Sequence, residues 1–188
     1  MSLLKTPRLL LRAPILADAT RIAQFVGDLD VARMLQRVPH PYAEADARWW
    51  IGTQLTPQGR AIETVFVATL DGNLIGACSH LFGEKPTAAE IGYWVGKPYW
   101  GNGYGTEMAA ALVRYGFAAY GLDSTTVSHM IDNPASAAII AKLGFRPTGR
   151  RRTHCVARDA EVDVLTYRLT KAEAEDQTWY KAACRDPA

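Results

Sequence analysis

Cysteine is scarce in this chain: Cys78, Cys155 and Cys184 are the three in 188 residues, with no Cys-x-x-Cys spacing. An odd number so arranged argues against a disulfide framework or a zinc site and points to a reducing, cytoplasmic setting. Long apolar runs are missing too. Nothing approaches the roughly 18 residues of a membrane span, and the N-terminus lacks a signal peptide's apolar core. Charge of one sign is not in excess. A formal net charge of +2 is too small for the concentrated basic face of a nucleic-acid binder. His40, His80, His129 and His154 show no metal-ligand spacing, so no metal is expected and each reads as structural or surface. Repeats, linkers and low-complexity segments are absent. What is present is ordinary for a globular chain, 48% hydrophobic and 21% charged. One domain is expected over 1–188, with its core at about 6–170 and a tail at 171–188.

The pattern along the chain is mixed. Leu9, Leu10 and Leu11 predict a short strand that ends before Pro14. Asp18 is expected to open an amphipathic helix through Ile22, Phe25 and Val26, and Asp30 to cap a further turn. Pro39 and Pro41 stiffen the path to a helix from Ala43 through Ala47, Trp50, Ile51 and Leu55, with Pro57 and Gly59 as its stop. Residues 64–70, Asp71-Gly72 and 74–78 carry a hairpin signal, and 89–95 would add a third antiparallel strand. Strands follow at 124–130, 145–151 and 162–169, with a short helix between Pro134 and Gly144 and a helical or loose tail from Thr170. Cys78 reads as a small core residue, and Trp49-Trp50 as core or pocket lining.

The chain is organised around residues 90–107. Ile91-Gly92-Tyr93-Trp94-Val95 has a buried strand's composition, Gly96 and Pro98 break it, and Gly101, Gly103 and Gly105 follow at alternate positions. From Thr106 the pattern is helical, with Met108, Leu112, Tyr115 and Ala119 on one face. Strand, glycine loop and helix aim backbone N–H groups and a positive dipole end at one spot, which suits an anion such as a pyrophosphate. The loop is neither the Gly-x-Gly-x-x-Gly of a dinucleotide fold nor a P-loop, since no lysine lies between Trp100 and Arg114. A tight turn without ligand is the other reading of the loop taken alone.

Tyr99-Trp100-Gly101-Asn102-Gly103-Tyr104-Gly105-Thr106-Glu107 resembles the acetyl-CoA pyrophosphate loop of the GNAT N-acetyltransferase superfamily, Gln/Arg-x-x-Gly-x-Gly/Ala. Trp100 stands where Gln or Arg is usual, a departure shared with the branch similar to the ribosomal-protein alanine N-acetyltransferases RimJ and RimL. Asn133-Pro134-Ala135-Ser136-Ala137-Ala138-Ile139-Ile140-Ala141-Lys142-Leu143-Gly144-Phe145 resembles a second motif of the family, and Thr6-Pro7-Arg8-Leu9-Leu10-Leu11-Arg12 that branch's first strand. The resemblance spans about 6–170 in order. It implies an α/β (α+β) fold with a mostly antiparallel sheet, splayed at the cofactor cleft and flanked by helices. It also implies transfer of acetyl from acetyl-CoA to a primary amine by direct attack in a ternary complex.

The resemblance assigns residues as follows. The amides of Trp100, Gly101, Asn102, Gly103, Tyr104, Gly105 and Thr106 would hold the pyrophosphate. The pantetheine arm would run along Tyr93, Trp94 and Val95, with the Val95 amide polarising the thioester. Glu90 would be the base, directly or through water, unless it is only a strand-end carboxylate. Asn133 would contact the pantetheine or order a water, beside its role as an N-cap. Ser136 would lie near the sulfur. A tyrosine common in the family as thiolate acid is replaced by Ile140, which leaves that task to Ser136, a water or another tyrosine such as Tyr93, or makes an acid dispensable because coenzyme A is itself a good leaving group. Glu107 would favour the helix dipole. Arg150-Arg151-Arg152 reads as a solvated edge, or as a site for the cofactor's 3′-phosphate or an acidic acceptor. The acceptor, a protein N-terminus or a small amine, would be held by loops around 27–45 and 152–162, with His40 nearby. Two copies could pair through exposed faces. A domain that binds acyl-CoA as a sensor, without turnover, is the reading from another class.

Overall fold

In the computed structural model, which describes residues 3–83 and 87–183, eight strands join one open sheet in the order β1-β2-β3-β4-β5-β6-β8-β7. They are β1 (Leu4–Lys5), β2 (Leu10–Arg12), β3 (Glu63–Leu70), β4 (Asn73–Phe82), β5 (Ala88–Val95), β6 (Ser124–Met130), β7 (Arg146–Cys155) and β8 (Ala160–Thr170). Every neighbouring pair is antiparallel except β5 and β6. Eight α-helices lie among the described residues: α1 (Ala19–Val26), α2 (Leu29–Ala32), α3 (Glu44–Leu55), α4 (Pro57–Ile62), α5 (Tyr104–Ala119), α6 (Pro134–Lys142), α7 (Lys171–Glu175) and α8 (Thr178–Ala183). The expected mostly antiparallel mixed fold is what the chain adopts. Cys184 lies outside the described residues.

The sheet separates two cores because successive strand residues face opposite ways. On one side Phe66, Cys78, Ile91, Val127 and Leu169 pack against Met108, Leu112 and Phe117 of α5 and Ile140 of α6. On the other, Val67 and Ala77 pack against Ile22 and Phe25 of α1 and Ile51 of α3. Trp50 belongs to this second core, whereas Trp49 beside it is 73% exposed and lines nothing. Cys78 is fully buried, and burial pushes its thiol up to about 12, as fits a core residue.

Local chemistry moved several boundaries. Asp28, not Asp30, caps α2, its Oδ1 accepting from the Asp30 amide at 2.9 Å. Asp30 instead meets the Lys97 ammonium at 2.6 Å. Asp18 does not cap α1 with its side chain; it takes a bidentate pair of hydrogen bonds from Arg12, both at 2.8 Å. Pro57 opens α4 instead of only ending α3, since Pro suits the first helical position and Thr56 accepts from the Gly59 amide at 3.0 Å.

Candidate functional site

β5 and β6 run side by side for three pairs only: Ala88 with Ser124, Ala89 with Thr125, Glu90 with Thr126. Beyond Glu90 the strands part, while β5 stays paired to β4 as far as Val95 and Gly76. The Gly96 amide donates to the Ile75 carbonyl at 2.8 Å, so by the alternation of an antiparallel ladder Glu90, Gly92 and Trp94 direct their backbone groups at β4. Ile91, Tyr93 and Val95 direct theirs at the edge that β6 has left. No described strand pairs with that edge, although Trp100 takes the Val95 carbonyl, and an extended chain could pair with the rest of it. Trp94 has no part in it, because its backbone faces β4 and its ring packs in the α1–α3 core. The expectation that Trp94 binds cofactor does not fit this placement.

At the mouth of the opening lie two helix starts. α5 begins at Gly103, in the left-handed region at φ 80°, without a side-chain cap, so its first-turn amides are left to an outside acceptor. Gly101 takes φ 78°, and the two glycines give the loop a curl that other residues adopt at a cost. Gly105 differs: a Cβ there would lie 2.9 Å from Ile139 Cδ1, so its smallness serves the packing of α5 on α6. Side chains brace the loop from within. The Trp100 indole N–H donates to the Val95 carbonyl at 2.6 Å, and the Asn102 amide donates to the carbonyls of Tyr99 and Trp100 at 3.2 and 3.0 Å. Trp100 and Asn102 thus shape the loop through their side chains.

Arg8 was not singled out from the sequence, although it stands in the first motif. Its guanidinium donates to the Asn102 carbonyl at 2.9 Å and to Glu107 at 2.7 Å, and lies over the Tyr104 ring, 4.5 Å from its centre. Glu107 is held further by the Thr6 hydroxyl at 2.6 Å and the Arg8 amide at 2.9 Å. Burial opposes its charge, yet these bonds together keep its carboxyl below the usual range. Glu107 is therefore a strap between β2's approach and the first turn of α5, in line with the structural role expected of it.

Glu90 sits at the last paired position, where the strands begin to part. Its Oε1 accepts from the Ser128 hydroxyl at 2.8 Å, and Ser128 Oγ in turn accepts from the Gln36 amide at 3.4 Å. Glu90 and Tyr93 lie on opposite faces of β5. The Tyr93 hydroxyl is 2.9 Å from Ser136 Oγ, and burial pushes this phenol up to about 12. Asn133 caps α6, its Oδ1 accepting from the Ser136 amide at 3.0 Å. Ile140 is buried, turned into the core.

The two loops expected at the acceptor side do meet. The Val156 amide donates to the Gln36 carbonyl at 3.0 Å and Arg158 Nε to the Arg33 carbonyl at 2.7 Å, so the β7–β8 tip holds the segment between α2 and α3. Much of 152–162 is strand, not loop. A cavity of about 190 Å³ is lined by Glu90 of β5, Thr126 and Ser128 of β6, Arg151 of β7, Thr166 of β8 and neighbours. Glu63 is a buried carboxylate on the same face as the half-buried Glu90, bonded by Ser79 at 2.6 Å and Arg37 at 3.2 Å. The sequence carried no signal for it beyond a charge at a strand start. No group of His, Cys, Asp and Glu among the described residues could hold a metal ion.

Comparison with known proteins agrees with this arrangement. The acetyltransferase (GNAT) domain profile matches residues 8–146. The uncharacterized N-acetyltransferase p20 of Bacillus licheniformis is 27% identical over 175 residues, covering 92% of this chain and 98% of its own. The ribosomal L7/L12 α-N-protein acetyltransferase RimL, solved with coenzyme A, superposes with a TM-score of 0.80 at 18% identity, over 92% of this chain and 99% of that one. RimJ of Mycobacterium smegmatis, solved with a CoA disulfide, gives 0.80 at 23% identity over 98% and 94%. The uncapped first turn of α5 and the open edge of β5 fit a diphosphate that continues as an extended arm. The chain belongs to the GNAT acetyltransferase family: it is an acetyltransferase whose donor is acetyl-CoA.

Proposed function

We propose that the protein transfers acetyl to a primary amine, of a protein N-terminus or a small molecule, by direct attack in a ternary complex. The observation that carries this is the position of Glu90, at the point where β5 and β6 part and on the wall of the 190 Å³ cavity. The names of RimL and of other neighbours as protein N-terminal acetyltransferases support an N-terminal amine among the candidates.

Acetyl-CoA supplies the acetyl thioester. The α5 amides and the Arg8-braced loop hold its phosphates, the Ile91, Tyr93 and Val95 edge aligns its arm, and the Val95 N–H polarises the carbonyl. Glu90, steadied by Ser128, takes the proton the amine must lose, directly or through one water. As the N–C bond forms the C–S bond breaks, and the departing thiolate takes a proton from the Tyr93–Ser136 pair. Asn133 contributes by fixing the first turn of α6, and with it Ser136. Such alignment is a large part of what an acyl transfer from a reactive thioester needs.

The test is thiol release from acetyl-CoA across Ala- and Ser-starting peptides, polyamines, free amino acids and aminoglycosides, with Glu90→Gln as comparison. The expected result is release with one acceptor class, reduced roughly a hundredfold in the variant while acetyl-CoA affinity holds. Equal release by the variant would remove Glu90 from the chemistry.

A further inference from the structure

Of the three consecutive arginines on β7, strand alternation puts one on a different side of the sheet from the others. Arg150 and Arg152 share a face with Asp163, and Arg150 meets it at 2.6 Å. Arg151 pairs in register with Val164, which pairs with Met130, and so shares the face of Ser128 and Glu90. There it lines the same cavity as Glu90. Other arginines of this side are engaged with carboxylates: Arg37 with Glu63 at 3.2 Å, Arg158 with Asp132 at 2.8 Å. Among the described residues Arg151 has no hydrogen-bond or ion-pair partner in the structure, and between it and Glu90 the lining includes the hydroxyls of Thr126, Ser128 and Thr166.

A carboxylate and an unpaired guanidinium on one small, hydroxyl-lined cavity form a dipolar receptor. From this we infer that the acceptor is an amine carrying a carboxylate a few bonds away: Glu90 receives the amine and Arg151 the carboxylate. The inference rests on the acceptor site proposed above. A guanidinium binds a carboxylate with two parallel hydrogen bonds, which fixes the far end of the acceptor and turns its nitrogen toward the parting of β5 and β6. A free amino acid and a peptide N-terminus with an acidic residue beside it share this chemistry. The 190 Å³ volume accommodates either the whole of the first or the leading residues of the second.

The experiment compares matched acceptors that differ only in the negative charge. Free amino acids are set against their amides, and Ala-Asp and Ala-Glu peptides, C-terminally amidated, against Ala-Asn and Ala-Gln. The carboxylate-bearing member should be preferred by about tenfold or more in kcat/KM, chiefly through KM. Arg151→Gln should bring that ratio near unity, and Arg151→Glu should invert it in favour of an Ala-Lys peptide. Arg152→Gln, on the opposite face, should leave the ratio as it is. The arm that responds, amino acid or peptide, names the source. Calorimetric binding of the same acceptors to the CoA-loaded protein gives a second readout that needs no turnover. If carboxylate acceptors bind and lose affinity in Arg151→Gln without thiol release, the receptor stands and the transfer reading fails. No preference for the carboxylate in either readout, or equal losses for both members of each pair, would overturn the inference.

Discussion

The Tyr93 hydroxyl and Ser136 Oγ lie 2.9 Å apart and tie β5 to the first turn of α6. Two hydroxyls that share one hydrogen bond leave one O–H free to donate elsewhere. With burial holding the Tyr93 phenol at about 12, that proton stays in place through the range where amines react. Tyr93→Phe and Ser136→Ala should each lower kcat by about tenfold with acetyl-CoA affinity little changed. The double variant should be no worse than the poorer single one, because the pair acts as a unit. Steady-state thiol release with a parallel binding titration checks this. Losses in affinity as large as those in kcat would make the pair a cofactor contact instead.

Arg8 touches the glycine loop at the Asn102 carbonyl and the Tyr104 ring, and reaches the helix start through Glu107. Arg8→Gln should weaken acetyl-CoA binding by about tenfold, the worth of hydrogen bonds from a charged group, and leave kcat at saturation nearly intact. Thr6 and the Arg8 amide still bond Glu107 in that variant, so the β2 strap remains. Calorimetry with coenzyme A reads the effect; unchanged affinity would confine Arg8 to a surface role.

How far the sequence reached follows from the range of the forces involved. The glycine loop, the Asp71-Gly72 hairpin and the Asn133 cap were legible because each is encoded within a few residues by backbone preference or a local hydrogen bond. The parting of β5 and β6 came only by resemblance, since where two strands separate depends on partners distant in sequence. Trp94 shows the same limit, as its face and its backbone direction are set by the register with Ala77 of β4. So do Glu63 and Arg151, whose meaning lies in what stands across the sheet. Capping by Asp28, one Asx residue among two, turned on a geometry that composition does not resolve.

Gly116 gives a prediction whose sign runs against helix propensity. Ala in place of a mid-helix Gly normally gains about 0.5–1 kcal/mol. Here the new Cβ would lie 2.7 Å from His80 Nε2 and 3.0 Å from Leu122 Cδ1, and both side chains are buried. Overpacking costs about 1–3 kcal/mol and outweighs the gain. Gly116→Ala should therefore lower the urea midpoint, and His80→Ala should relieve part of that loss in a double-mutant cycle. A raised midpoint would mean that the His80 ring yields freely.

His80 is fully buried between β4 and α5, stacked on Phe82 with Tyr120 edge-on, and among the described residues its ring nitrogens have the Leu112 backbone nearby but no well-formed hydrogen bond. Burial pushes its pKa down from 6.5 to about 4. Between those two values the unfolded chain binds a proton that the native imidazole does not, so stability rises with pH and is lost as pH falls. The full effect is about 3 kcal/mol by the linkage relation, spent between pH 6.5 and 4. Carboxylates held low by their partners, Asp132 and Glu173 among them, lose their contribution at more acid pH, below about 4.5. Urea unfolding measured from pH 7 to 5 therefore isolates the histidine. His80→Leu should flatten the decline over that interval, since a leucine has nothing to protonate and leaves no orphaned nitrogen in the core. A variant as acid-sensitive as the parent would place the titrating group elsewhere in the fold.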